Sequence, residues 1–263
     1  MGNALEKYRN GNISLSTERR LMNEALARLG AAEMKKTSSP ARGQPRGAYG
    51  KAGRLMVALD LTGSREHSLK QARIATAAMF DTIRVLGVLA VKLVYFRGLD
   101  ECRASQWHSN PDILGASMRR LSCEAGYTQI ARVLRVALAE REFLSGLVFV
   151  GDHCEEDSGE LLELAAELGR RSGPLFLFHE CADDDGRSID AKPVFKSMAE
   201  ASGGIYAEFK PDSGVVLREL IESAGAHAAA GAEGVRRVGL AKTPEGRQLQ
   251  GKMLLLGPSS EKG

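Results

Sequence analysis

The sequence predicts an α/β fold: a mostly parallel six-stranded sheet with one antiparallel edge strand and helices on both faces. Three observations carry this. Short apolar runs, five in all, alternate with segments whose apolar residues recur at helical spacing. Several runs, such as Leu147 to Val150 and Leu175 to Phe178, are continuously apolar, as strands buried on both faces require. A single Gly98-Leu99-Asp100-Glu101 segment reads as a hairpin turn and supplies the antiparallel edge.

Taken in order, residues 1–34 contain an amphipathic helix with Leu21, Met22, Ala25, Leu26 and Leu29 on one face. Residues 35–53 are rich in Gly, Pro and basic side chains and read as a linker. The main domain spans residues 54–227. Leu55 to Leu59 forms its first strand, and Leu69, Ala72, Thr76, Met79 and Ile83 line the inner face of the next helix. Val91 to Phe96 is the second strand, and Cys102 to Trp107 the third. Helices follow at Ile113 to Leu121 and Ile130 to Leu138, with the fourth strand at Leu147 to Val150.

Asp157 and Glu160 have the spacing of a capping box before the helix through Leu168. Leu175 to Phe178 is a fifth strand. A helix from Phe195 to Ala201 is stopped by Gly203-Gly204, and Ile205 to Phe209 is the last strand. Val216 to Ala224 closes the domain as an amphipathic helix. Residues 228–263 form a basic extension whose apolar Met253-Leu254-Leu255-Leu256 is expected to dock on the domain.

The net charge of +3 conceals a division. Residues 1–53 carry +6 and residues 234–263 carry +4, which leaves −7 on the body between them. An acidic body with basic arms is not a broad nucleic-acid-binding surface, although the arms could touch RNA or an acidic protein. Lys92 interrupts the most apolar stretch, so no membrane span is expected. No basic start with an apolar core and cleavage site is present, and the four cysteines lack C-x-x-C spacing; a cytoplasmic protein with reduced thiols is the expectation.

Sheets of this kind bind ligands beyond the carboxyl ends of their strands. The first strand runs into Asp60-Leu61-Thr62-Gly63-Ser64, a carboxylate and two hydroxyls at alternate positions. Thr128 stands just before a helix, and the fourth strand ends in Gly151-Asp152. Asp60, Thr62, Ser64, Thr128 and Asp152 thus offer an all-oxygen set suited to a hard cation: Mg2+ first, with Mn2+ or Ca2+ also compatible. Neutral hydroxyls leave the ion with positive charge and an exchangeable position, which an Asp or Glu from a protein partner could fill.

At these residues the chain resembles the von Willebrand factor type A domain with its metal-ion-dependent adhesion site, a Rossmann-like fold. The D-x-S-x-S motif stands as Asp60-Leu61-Thr62-Gly63-Ser64, with Thr62 keeping the hydroxyl. The separate threonine matches Thr128 and the late aspartate matches Asp152, while Gly151 replaces the threonine that often precedes that aspartate. The resemblance implies a non-enzymatic, cation-dependent protein-binding adaptor or scaffold. It also implies an intracellular bacterial-type member, a kind that often works beside ATPases or chaperones.

Rival readings meet specific obstacles. A haloacid-dehalogenase-type phosphatase would use Asp60 as nucleophile and Asp183-Asp184-Asp185 as its acidic pair, but it wants an acid where Thr62 stands and a lysine upstream of Asp183. A scaffold that binds RNA through the basic arms would not need Asp60. No glycine-rich phosphate loop follows a strand. Cys102, Cys123, Cys154, Cys181, His108, His153 and His179 lack the short spacings of a zinc site. Trp107, His108 and Tyr127 are candidate rim residues around the cation.

Overall fold

A computed structural model describes residues 53–83, 86, 89–182 and 186–256, with no side chains described at 64, 66–68, 80–83 and 186–189. The amphipathic helix and linker expected before residue 53 lie outside these residues, as does Asp183-Asp184-Asp185. The strands are β1 (Gly53–Asp60), β2 (Leu89–Arg97), β3 (Glu101–Ala104), β4 (Gly146–Gly151), β5 (Leu175–Glu180) and β6 (Ile205–Phe209). The helices are α1 (Glu66–Ile83), α2 (Pro111–Arg119), α3 (Ile130–Leu138), α4 (Ser158–Arg171), α5 (Gly186–Ala201), α6 (Gly214–Arg237) and α7 (Pro244–Leu255).

The strands form one sheet in the order β3-β2-β1-β4-β5-β6. All neighbours run parallel except β2 and β3, joined at Arg97 and Glu101 through a turn in which Gly98 takes φ 59°. β1 therefore lies inside the sheet, which is why its eight residues are buried almost throughout. Its side chains alternate between two cores. Leu55, Val57 and Leu59 meet Leu69, Ala72 and Met79 of α1 and Leu217, Leu220 and Ile221 of α6. Met56 and Ala58 meet the α3, α4 and α5 side, with Val133, Leu161 and Phe195.

Three elements depart from the sequence reading. α5 begins at Gly186 and carries Pro193 inside it, whereas periodicity placed its start at Phe195. Proline removes one helical hydrogen bond, but burial of Ala191, Phe195 and Met198 against the sheet outweighs that loss. α6 runs past Ala224 to Arg237 with non-helical backbone at Ala230 and Gly231. β3 stops at Ala104; beyond it, His108 makes an isolated bridge to Val91.

Other signals hold. Asp157 Oδ1 accepts the Glu160 N–H at 2.8 Å, while the Glu160 side chain turns to Arg135 instead of completing the box. Gly203, at φ 69°, ends α5, and the Gly204 N–H reaches the Ala199 carbonyl at 2.8 Å. In α7, Met253 is fully buried against the domain, whereas Leu255 is 86% exposed.

Candidate metal centre

The carboxyl end of β1 is a junction of three loops. The Leu61 N–H donates to the Phe96 carbonyl at 3.0 Å, and the Leu61 carbonyl accepts the Glu124 N–H at 3.0 Å. These bonds tie the Asp60–Ser64 loop to β2 and to the segment leading to Thr128. That segment lies against the β2–β3 turn: the Tyr127 N–H reaches the Gly98 carbonyl at 3.3 Å, and a Cβ on Gly126 would stand 1.8 Å from the same oxygen. Only glycine permits this approach.

The third loop follows β4. Thr128 donates its backbone N–H to Glu155 Oε2 at 3.2 Å and accepts the Glu155 N–H on Oγ1 at 3.0 Å. Glu156 then receives the Ile130 and Ala131 N–H groups, at 2.5 and 2.9 Å. It caps the amino end of α3, where Gln129 provides no side-chain cap. Glu155 and Glu156 thereby fix the Thr128 loop to the Asp152 loop, a role the sequence reading did not assign.

Asp60, Thr62, Thr128 and Asp152 are all buried at this end of the sheet. Ser64 lies in the short 3-10 turn Gly63–Arg65, and its side chain is outside the described residues. Asp60 Oδ1 accepts the Thr62 N–H at 2.8 Å. Its Oδ2 is buried and has no hydrogen-bond partner among the described residues. Burial, and then the nearby Asp152 carboxylate, push the Asp60 pKa up to about 7 against the opposing pull of Arg65 and Thr62. A buried carboxylate pair with an orphaned oxygen, flanked by hydroxyls, is the donor chemistry a hard divalent cation fits.

Gly151 has a local explanation. A Cβ there would lie 2.7 Å from the Phe149 ring and 3.5 Å from the Asp60 Cβ. Phe149 occupies the space a threonine would need, and it stacks on Phe96 at 6.2 Å between ring centroids.

Two further groups surround the centre: the Arg65–Glu180 pair, to which the sequence reading gave no role, and His153 and His179, weighed there only as zinc ligands. Arg65, 2% exposed, forms a buried ion pair with Glu180 at the end of β5, 2.6 Å apart. His153 Nδ1 lies 2.9 Å from Asp152 Oδ2. His179 Nε2 lies 3.1 Å from the Asp152 carbonyl, which can only accept, so this nitrogen carries the proton. Burial holds the His179 pKa down to about 4. Its Nδ1 meets the Tyr206 hydroxyl at 2.7 Å, and that hydroxyl reaches Glu208 at 3.0 Å.

Of the three rim candidates, only Tyr127 belongs at this end; it adjoins Thr128 and is 62% exposed. Trp107 packs at the opposite end of the sheet. Its ring lies 4.1 Å below the Arg54 guanidinium and its indole N–H donates to Glu140 at 3.0 Å. His108 pairs with Val91 near the start of β2. Because β3 runs antiparallel to β2, continuing along it carries Trp107 and His108 away from the carboxyl ends of the parallel strands and toward the start of β2. Among the described residues, no three His, Cys, Asp or Glu side chains gather as a metal cluster, and the four cysteines are free thiols.

No protein-family model matches the chain, and no curated protein matches it in sequence. Solved structures do resemble it. A von Willebrand factor type A protein from Catenulispora acidiphila aligns with TM-score 0.53 and 16% identity, over 66% of this chain and 43% of that one. The pilus adhesin SpaC from Lactobacillus rhamnosus GG gives 0.58 and 10%, over 70% of this chain and 31% of SpaC. The conserved hypothetical protein BatB from Bacteroides thetaiotaomicron gives 0.51 and 14%, over 66% of this chain and 98% of that one. The chain thus spans less than half the length of the first two. Sheet order, the single antiparallel edge and these alignments agree that the described residues adopt the von Willebrand factor type A fold.

Proposed function

We propose that the chain is a protein-binding module whose grip depends on a divalent cation held by Asp60, Thr62, Ser64, Thr128 and Asp152. The observation that carries this reading is the Asp60 carboxylate, buried beside Asp152 with one oxygen lacking a hydrogen-bond partner among the described residues. Leaving such a group unpaired costs about 1–3 kcal/mol or more. A bound cation offsets that cost, and Mg2+ is the first candidate for so few carboxylates.

The hydroxyl ligands would leave the ion Lewis-acidic, with a position open at the surface beside Tyr127. An Asp or Glu side chain of a protein partner is the ligand that position favours. The reading is of an adaptor or scaffold rather than an enzyme, in the cytoplasm, with an ATPase or chaperone system as the kind of partner the resemblance suggests. Among the described residues no helix is long and apolar enough to cross a membrane.

The test is a cation titration followed by thermal unfolding and calorimetry, on the wild-type chain and Asp60→Ala. Binding in the first and none in the second supports the site. Capture of a partner that is released by chelation and absent with Asp60→Ala supports its use.

A further inference from the structure

β6 is the last strand in the sheet order, with β5 as its ladder partner. Backbone groups of successive strand residues point to opposite edges. The Phe209 carbonyl accepts from the Cys181 N–H at 2.9 Å, so Phe209, Ala207 and Ile205 address the β5 side. The backbone N–H and C=O groups of Tyr206 and Glu208 then point outward.

Along that outer edge runs a groove of about 430 Å3. One wall is β6, from Tyr206 to Phe209. The other is α7, which presents Glu245, Gln248, Leu249 and Lys252 at the i, i+3, i+4, i+7 spacing of one helix face. The groove also takes in Lys196 of α5, so it wraps the edge from one face of the sheet to the other. A strand edge facing a helix across an open channel is the geometry that accepts an added strand.

The charges select the occupant. Exposed Lys196 and Lys252 flank the groove, Lys196 on the α5 side of the sheet edge and Lys252 on the α7 side. Of the two acids that line it, Glu208 is neutralised by Lys192 at 2.7 Å. The remaining balance is positive, on a body whose charge is otherwise negative. We propose that this groove binds an extended acidic peptide segment of another protein as a seventh strand on β6, with carboxylates on its two faces meeting Lys196 on the α5 side and Lys252 on the α7 side. Five residues of β6 span about 16 Å, enough for a segment of similar length. The groove shares none of the five candidate cation ligands, so this binding does not depend on the cation.

The test uses the full chain and a set of fluorescent Glu-rich heptapeptides that carry carboxylates on both faces of the extended strand, matched by a set with Lys in place of Glu. Binding of Glu peptides with Kd on the order of 10–100 μM, unchanged by chelator and weakened at least tenfold by the exposed-site variant Lys196→Glu/Lys252→Glu, is the expected result. Methylating alternate peptide nitrogens of a binding peptide, one register at a time, should abolish binding in one register and spare it in the other. No binding by any Glu peptide, equal binding of Lys peptides, or tolerance of methylation in both registers overturns the proposal.

Discussion

Thr128 and Glu155 hold one another by two hydrogen bonds, backbone to side chain in each direction, at 3.2 and 3.0 Å. The pair joins two of the three loops of the candidate centre. It also spends one lone pair of the Thr128 hydroxyl on a backbone N–H and leaves the other for a ligand.

Glu155→Ala removes the acceptor of the Thr128 N–H, a loss of about 1–2 kcal/mol at that group. Cation affinity should fall roughly 5- to 30-fold, with the fold retained because Glu156 still caps α3. Glu155→Gln keeps an acceptor and should restore most of the affinity. Calorimetric titration of the three chains checks this.

The pH dependence of Asp60 has a definite sign. Its folded pKa of about 7 stands above the ordinary 3.8, so its stabilising contribution is complete below 3.8 and is lost as pH rises through 7. In the absence of cation, Asp60→Asn should therefore unfold at a higher temperature than wild type at pH 8 and at a nearly equal temperature at pH 4. Cation binding by wild type should weaken as pH falls below 7, because the proton and the ion compete for one carboxylate. Unfolding scans from pH 4 to 8, with and without Mg2+, read both effects.

His227 acts in the opposite direction. Burial drives its pKa down to about 4 from 6.5, and its Nδ1 is buried with no hydrogen-bond partner among the described residues. Its contribution is whole above pH 6.5 and is lost as pH falls toward 4. His227→Leu, in contact with Phe176 as the imidazole is, should raise the unfolding temperature more at pH 5 than at pH 7.5. Thermal scans at those two pH values decide it.

Arg65 and Glu180 form a buried ion pair beside Asp60. Arg65→Met alone removes the cation paired with the buried Glu180 carboxylate and should cost about 3–5 kcal/mol. Arg65→Met/Glu180→Gln should recover much of that loss. By removing the cationic neighbour of Asp60, the double variant should also bind Mg2+ more tightly than wild type. Denaturant unfolding and titration of both variants test the two parts.

The strands were legible because burial on both faces leaves a continuous apolar signature, as in Leu147 to Val150. Asp60, Thr62, Ser64 and Asp152 could be named as candidates because they follow strand ends, where the chain turns from apolar to oxygen-bearing side chains, and Thr128 because it stands just before a helix. Glu155 and Glu156 carried a weaker signal, a pair of acids shortly after a strand, and their hydrogen-bond partners lie far back in the chain. Arg65 with Glu180 had none, since the pairing exists only once β5 is placed two strands from β1. Trp107 misled because an antiparallel edge strand carries its later residues away from the carboxyl ends of the parallel strands, to where Arg54 and Glu140 hold the ring.

The central claim is cation binding at Asp60, and a thermal-shift titration with MgCl2 and MnCl2 tests it most directly. At a hundredfold excess over Kd, a bound cation adds about 2.7 kcal/mol, or about 5–10 °C for a domain of this size. The account predicts such a saturable rise for wild type and none for Asp60→Ala. Equal responses of the two chains, or no response of wild type to either cation at millimolar concentration, would contradict it.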